Sequence, residues 1–288
     1  MSSTHLRAII EQVINEYYQA RSSQTEVARE VVPPNCELTD ITRCKMEDYF
    51  RVPSAENKDA YLHYKKHTPA RVGIWRAGPR YTTETLLRFR ADHAIAQDAV
   101  FSDVAGECAR EKGWLLLQTK IANKDQFLTR PDLGRILSDE AIKAIKENYP
   151  VPPQVLVYVS DGLSSIAAAT NAFDTFRSIE HALKRQGVDV ARPFFLKYGR
   201  VPAMDHVAEI TGAAVTAVLI GERPGLATSE SLSCYMIYGG KVGNQESLRT
   251  VVSNIHRGGT PAVEAGAYIA DIIRSMLQKK TSGVDLKL

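Results

Sequence analysis

The sequence predicts an α/β protein, with a parallel sheet in its C-terminal half preceded by a smaller, mainly helical part. Three observations carry this. The run VLVYV at 155–159 is continuously apolar, the pattern of a strand buried on both faces. Similar runs at 193–198 and 214–222 follow helical stretches, and a repeated β–turn–α rhythm implies a parallel sheet with right-handed crossovers. The segment YPVPP at 149–153 stops regular structure just before the rhythm begins, and it marks the clearest boundary in the chain.

Taken in order, residues 5–20 (HLRAIIEQVINEYYQA) are amphipathic, with Leu6, Ile9 or Ile10, Val13 and Tyr17 on one helical stripe. Residues 21–34 are polar, end in Val-Val-Pro-Pro and read as a linker. A short tethered helix cannot bury its stripe on itself, so it docks on its own body, on a partner or on a larger assembly. Residues 35–70 read as irregular with short helices. Arg71, Arg76, Arg80, Arg88 and Arg90 then crowd into twenty residues. The Gly-Pro turn at 78–79 and a threonine cap at Thr82 or Thr83 lead into a helix carrying Leu86, Leu87, Ala91, Ala94, Ile95 and Val100. Arg88, Asp92 and His93 are spaced to pair within that helix. Its arginines mark either a partner-facing surface or a solvated face with internal ion pairs.

WLLLQTK at 114–120 fits strand or helix. A helix through 148 is entered at Ser138, with Asp139 and Glu140 in its first turn. Beyond the prolines come a strand at 155–159, a turn at 160–165, a helix at 166–186, a strand at 193–198, a short helix at 202–212 and a strand at 214–222. A helical or extended stretch then runs through Tyr238. Residues 250–253 end a last strand. Gly258 and Gly259 form a turn, Thr260 suits an N-cap and Pro261 suits the first helical position of a long apolar-striped helix.

The 288 residues carry a net charge of only +3 and no long Lys/Arg block, which argues against a nucleic-acid binder. Hydrophobic content of 44% and charged content of 24% are those of a soluble globular protein. No apolar run approaches the roughly 18–20 residues of a bilayer span, and no secretory leader is expected. Four cysteines without CxxC spacing suggest neither a zinc site nor a disulfide framework, and a reducing cytoplasm follows.

In parallel sheets ligands sit beyond the carboxyl ends of the strands. Here those ends are 160–165, 199–202, 221–225 and 253–260, four turns rich in Gly, Ser and Arg that converge on one edge. Each alone reads equally as an ordinary β–α connection. GxGxxG, GxxxxGK[ST], GxSxG and HExxH are absent. Met204-Asp205-His206 does not have the Asp-x-His-x-x-Gly spacing that supplies a histidine to cobalt. Asp161 suits a group that orients a base, but no nucleophile is spaced with it. Glu222, closing an apolar strand, is the acid of most interest: a hydrogen-bond acceptor for a ligand amide or hydroxyl, or an ion-pair partner of Arg223 or of another arginine. The chain has the look of half an active site. The other reading is a stand-alone α/β small-molecule binding or regulatory protein.

The stretches RAGPRYTTETLLRFRADHAIAQDAVFSDV, VSDGLSS, LKYGRVPAMDHVAEITGA, LIGERPGLATSESLSCYMIY and TVVSNIHRGGTPAVEAGAYIADIIRSML closely resemble the small subunit of ethanolamine ammonia-lyase, from about Pro69 to the C-terminus. The resemblance implies a Rossmann-like sheet at 151–288 holding one side of adenosylcobalamin at the interface with a large subunit. That partner, a TIM barrel, carries the catalytic residues that turn ethanolamine into acetaldehyde and ammonia by a radical mechanism. Carried over by motif, the cofactor-binding positions are Val201 in GRVP, Glu222 in GERPG and Val251 in RTVVSNIH, with Arg200 and Asn254 beside them. Other members can have Cys at the position of Val251, so a sulfur contact is absent here. The resemblance further implies several copies of each subunit and a helical region at 46–150 facing the large subunit. It also implies that residues 1–45 dock the enzyme inside a microcompartment in the bacterial cytoplasm.

Overall fold

The structure, a computed structural model, describes residues 40–287. The helix expected at 5–20 and the linker after it lie outside these residues. The described chain begins with α1 (Lys58–Lys65), the small hairpin β1 (Arg76–Ala77) and β2 (Arg80–Tyr81), α2 (Thr83–Phe101) and α3 (Ala105–Glu111). Next come β3 (Leu115–Gln118), α4 (Lys124–Thr129), α5 (Asp139–Asn148) and β4 (Val155–Ser160). Then α6 (Ser165–Ala167) passes through a π turn at Ala168–Ala172 into α7 (Phe173–Arg185). The chain continues with β5 (Phe194–Lys197), α8 (Ala203–Thr211), β6 (Val215–Gly221), β7 (Leu232–Tyr238), β8 (Thr250–Ile255) and α9 (Ala262–Lys279).

Six strands form one sheet in the order β3-β5-β4-β6-β7-β8. β3, β5, β4 and β6 are parallel. The expectation of a wholly parallel sheet is corrected at β7, which pairs antiparallel with both β6 and β8. Residues 222–231 explain this, being too few for the crossover of roughly a dozen residues or more that a parallel neighbour needs. The stretch left open as helical or extended before Tyr238 is therefore a buried strand. β3 resolves the ambiguity of 114–120 as strand and pairs with β5, so the prolines at 150–153 lie between two strands of one sheet.

The sheet is covered on both faces, as expected for a parallel core whose strands read as apolar runs. One face buries Val157, Val159, Ala217, Leu219, Cys234 and Met236 with Phe176 and Ile179 of α7 and Ile269 and Ile273 of α9. The other buries Leu156, Tyr158, Leu196, Val218 and Ile220 with Ile145 of α5 and Met204 and Val207 of α8. Tyr158 stacks on Phe194 with ring centroids 4.7 Å apart.

Local signals place several helix ends. Ser138 caps α5 by accepting the Ala141 N–H at 3.1 Å. Gly212 ends α8 in the left-handed conformation at φ 65°. The start of α9 is shifted by one residue from the expected position: Pro261 is itself the N-cap, and the Thr260 N–H is taken by the Asn254 carbonyl at 3.0 Å. Arg88 points inward rather than lining a surface. Its Nε bonds both Asp92 oxygens at 3.1 Å, and its Nη1 donates to the carbonyls of Ile41 (2.6 Å) and Cys44 (2.7 Å).

Arg249, at the entry to β8, donates to Asp205 of α8 at 2.6 Å, with both side chains almost fully buried. This pair ties the last strand to a helix on the second face of the sheet. Arg249→Leu strands the Asp205 charge in the core, and removing one partner of such a pair costs about 3–5 kcal/mol. The expected outcome is a much lower urea midpoint. An unchanged midpoint would mean that the pair does not support the fold.

Candidate functional site

The turns after β4, β5, β6 and β8 all lie on one edge of the sheet, together with the start of β7. Their close approach depends on two glycines. Gly162 is in the left-handed region at φ +56°, and a Cβ there would collide with the Gly221 carbonyl. A Cβ on Gly221 would in turn collide with the Ser164 carbonyl. Ser164 caps α6 by accepting the Ala167 N–H (3.1 Å), and its hydroxyl donates to the Ser229 carbonyl at 2.7 Å. Asn171, in the π turn, donates to the Glu230 carbonyl at 2.8 Å. The loop from β6 to β7 is thus pinned to the element that follows β4.

Asp161 organises the centre of this edge. Its side chain is fully buried. It accepts the Gly162 N–H at 2.9 Å and the Tyr198 N–H at 3.1 Å, and the Ser160 hydroxyl lies at 3.3 Å. Burial pushes its carboxyl group up to about 6, against the opposing pull of the Tyr198 N–H and the Lys124 charge. Lys124 is its nearest unpaired cation: the ammonium is buried, has no hydrogen-bond partner and lies 5.4 Å and 5.7 Å from the ring centres of Phe127 and Tyr198. Desolvation lowers its proton affinity.

Glu222 follows β6 directly. Its carboxylate accepts from the hydroxyls of Ser231 (2.7 Å) and Ser233, and the Asn254 N–H lies 3.4 Å away. Among the described residues no ion pair joins it to Arg223 or to another arginine; its oxygens are met by these donors instead. The carboxylate is half-buried and held in place by neutral donors, so its charge is not cancelled by a neighbouring cation. The two serines were missed by sequence reasoning. Their signal was the i, i+2 spacing in SLSC, which puts both hydroxyls on one face of a strand.

The other sequence-predicted positions divide in two. Asn254 sits beside Glu222 with a left-handed backbone at φ 61°, and its Oδ1 lies 2.8 Å from His256 Nε2. The Gly258 N–H donates to His256 Nδ1 at 3.1 Å. Val251 is opposite Tyr235 in the β7–β8 register and is 42% exposed. It therefore lies on the same sheet face as Ser233. Val201 and Arg200 lie beyond β5, on the far side of β4 from Glu222, and Val201 packs against the same hydrophobic cluster as Tyr235. The Arg200 guanidinium donates to the Phe127 carbonyl at 2.6 Å and stacks 4.1 Å from the Phe127 ring centre, while its Nε is buried without a partner.

A second surface stands out at α2. Leu86, Leu87, Phe89, Ile95 and Phe101 are exposed on this helix, with Trp75 and Tyr81 nearby in sequence. A soluble monomer rarely leaves such a patch uncovered. Among the described residues no cluster of His, Cys, Asp and Glu is suited to a metal ion, and no helix is long and apolar enough to cross a membrane.

Fold and site together define an α/β protein with a built polar site on the carboxyl edge of its sheet and an uncovered apolar helix beside it. A family model described as ethanolamine ammonia-lyase light chain matches residues 58–287. The chain is 51% identical to the ethanolamine ammonia-lyase small subunit of Clostridium tetani over all of its own length and 99% of that protein. It is 46% identical to the one from Listeria innocua over the full length of both. Identity to the Fusobacterium nucleatum small subunit is 51%, over 87% of this chain and 85% of that one. The chain belongs to the ethanolamine ammonia-lyase small-subunit family.

The Asp161 carboxyl group gives a pH signature. Its folded value, about 6, lies above the ordinary 3.8, so the folded state holds this proton more tightly than the unfolded chain. The resulting stability is fully present at low pH and is lost as pH rises through the folded value. Asp161→Asn should remove a stability loss of about 3 kcal/mol between about pH 4 and about pH 6, read as the difference between the urea-midpoint profiles of the two proteins. Parallel profiles would show that the carboxyl group titrates normally.

Proposed function

We propose that this chain is the cofactor-holding small subunit of an adenosylcobalamin-dependent ethanolamine ammonia-lyase, working at an interface with a catalytic large subunit. The observation that carries this reading is the preorganised Glu222 carboxylate, fixed by Ser231 and Ser233 beside exposed Val251 on the sheet edge. A corrin is a broad apolar ring fringed with amides. A half-buried acceptor with no cation on it suits an amide N–H, and exposed Val251 and part-buried Val201 suit the ring. When bound, the cofactor supplies the radical chemistry; this chain binds and orients it. Arg200 and Asn254 flank the contact positions.

The uncovered apolar residues of α2 support a contact between residues 46–150 and the large subunit, a TIM barrel in this reading. They disfavour a stand-alone binder, which would leave them in water. The subunits form a hetero-oligomer with several copies of each. Residues 151–288, with β3 (Leu115–Gln118) completing their sheet, are the Rossmann-like cobalamin-binding part in this reading. Residues 1–45 dock the enzyme inside the ethanolamine-utilization microcompartment of the bacterial cytoplasm.

Co-expression with the large subunit and purification through a tag on this chain should yield adenosylcobalamin-dependent release of acetaldehyde from ethanolamine. Neither chain alone should be active. Failure to form a complex would favour the stand-alone binder. In the complex, Glu222→Ala should weaken cobalamin binding by about tenfold or more, the worth of a hydrogen bond to a charged group, with little change in thermal midpoint. A normal Kd removes Glu222 from the site. Deleting residues 1–30 should leave activity intact and abolish encapsulation, scored by co-sedimentation with microcompartments; retained co-sedimentation removes that role.

A further inference from the structure

The two oxygens of Glu222 are not equally engaged. A carboxylate offers about four lone-pair positions, roughly two on each oxygen. Oε1 takes the Ser233 hydroxyl and the Asn254 N–H at 3.4 Å, while Oε2 takes only the Ser231 hydroxyl at 2.7 Å. Among the described residues, the acceptor position left over is on Oε2. The Asn254 N–H is the longest of these bonds and the one given by a backbone group, so its place depends on the turn that carries it.

Asn254 holds φ 61°, a conformation that a residue other than glycine keeps only when its surroundings impose it. His256 imposes it. Its ring joins two points of the same turn: the Gly258 N–H donates to Nδ1 at 3.1 Å, and Nε2 lies 2.8 Å from Asn254 Oδ1. The Asn254 side chain lies directly against Gly259, where a Cβ would collide with it. The Thr260 N–H closes the turn on the Asn254 carbonyl at 3.0 Å. His256 makes no hydrogen bond to Glu222 itself, so any effect it has there runs through Asn254.

We propose that His256 is a positioning residue of this site. By fixing Asn254 it keeps Oε1 engaged and turns the remaining lone pair of Oε2 toward the N–H of a ligand side-chain amide. A carboxylate in place of that amide meets Glu222 as a like charge and is rejected. This rests on the cobalamin reading above, in which amides fringe the corrin, and extends it to His256 and to the choice of amide over acid.

The test measures binding to the purified complex of both subunits by equilibrium dialysis. The ligands are cyanocobalamin and its monocarboxylic acids, in each of which one side-chain amide is replaced by an acid. At least one acid should bind about tenfold or more weakly than cyanocobalamin. His256→Ala should weaken cyanocobalamin about fivefold and narrow that amide-over-acid ratio, because a carboxylate no longer held can turn away from the acid. His256→Gln, whose amide can reach the Asn254 oxygen, should restore both. Asn254→Gly keeps the left-handed backbone without strain and should act as His256→Ala does. The two changes together should cost no more than either alone, since both break one link. A histidine that only stabilised the turn would lower every affinity alike, so an unchanged ratio overturns the proposal. Additive losses in the double variant overturn it too, as does equal binding of cyanocobalamin and every acid. In each of these cases cyanocobalamin still binds, and the cobalamin reading stands. A complex that binds no cyanocobalamin removes that reading and the role of His256 with it.

Discussion

Asp161 ends the central strand in a place where water cannot reach its carboxyl group. A buried carboxylate is unfavourable unless its lone pairs are met. Here they are met by N–H groups from its own turn and from Tyr198 on the adjoining strand. That requirement fixes the position of β5 relative to β4 just beyond their last ladder bond. The close contact between Gly162 and Gly221 fixes β6 on the other side. Three strand ends are thereby locked at a spacing that side chains larger than hydrogen would forbid. Everything proposed for this edge depends on that rigidity, since groups on loose loops would not hold a ligand in one geometry.

Glu222 repeats the device nearer to solvent. A carboxylate at the end of one strand receives the N–H of a left-handed residue on another: Tyr198 for Asp161, Asn254 for Glu222. Neither Tyr198 nor Asn254 is glycine, and such backbone conformations cost about 1–3 kcal/mol each. The surrounding turns hold both in place. The difference lies in burial. Asp161 is sealed and structural. Glu222 is half-buried, held by two hydroxyls and left with its negative charge unpaired.

The helix α2 divides its residues between internal pairing and exposure. Arg88 and Asp92 use the polar atoms of that helix internally, with Arg71 joining Asp92 at 2.6 Å. The outside of the helix keeps Leu86, Leu87, Phe89, Ile95 and Phe101 among polar residues such as Glu84, Arg90, Gln97 and Asp98.

The amino-acid order alone determined most of the elements. The run at 155–159 was legible as β4 because a strand buried on both faces has no polar alternation to blur. Ser138 and Gly212 were legible as helix ends because capping is local chemistry. That Val201 and Glu222 stand just beyond strand ends was legible because the apolar runs before them read as strands. Tertiary structure alone decided the rest. The reversal at β7 depends on which strand is available to pair with a chain returning after residues 222–231, and an apolar run carries no direction. Arg88 reads as a surface residue until the carbonyls of Ile41 and Cys44 are brought beneath it from far along the chain. The partners of Glu222 were likewise decided by the fold: Ser231, Ser233 and Asn254 reach it only because the sheet brings them there.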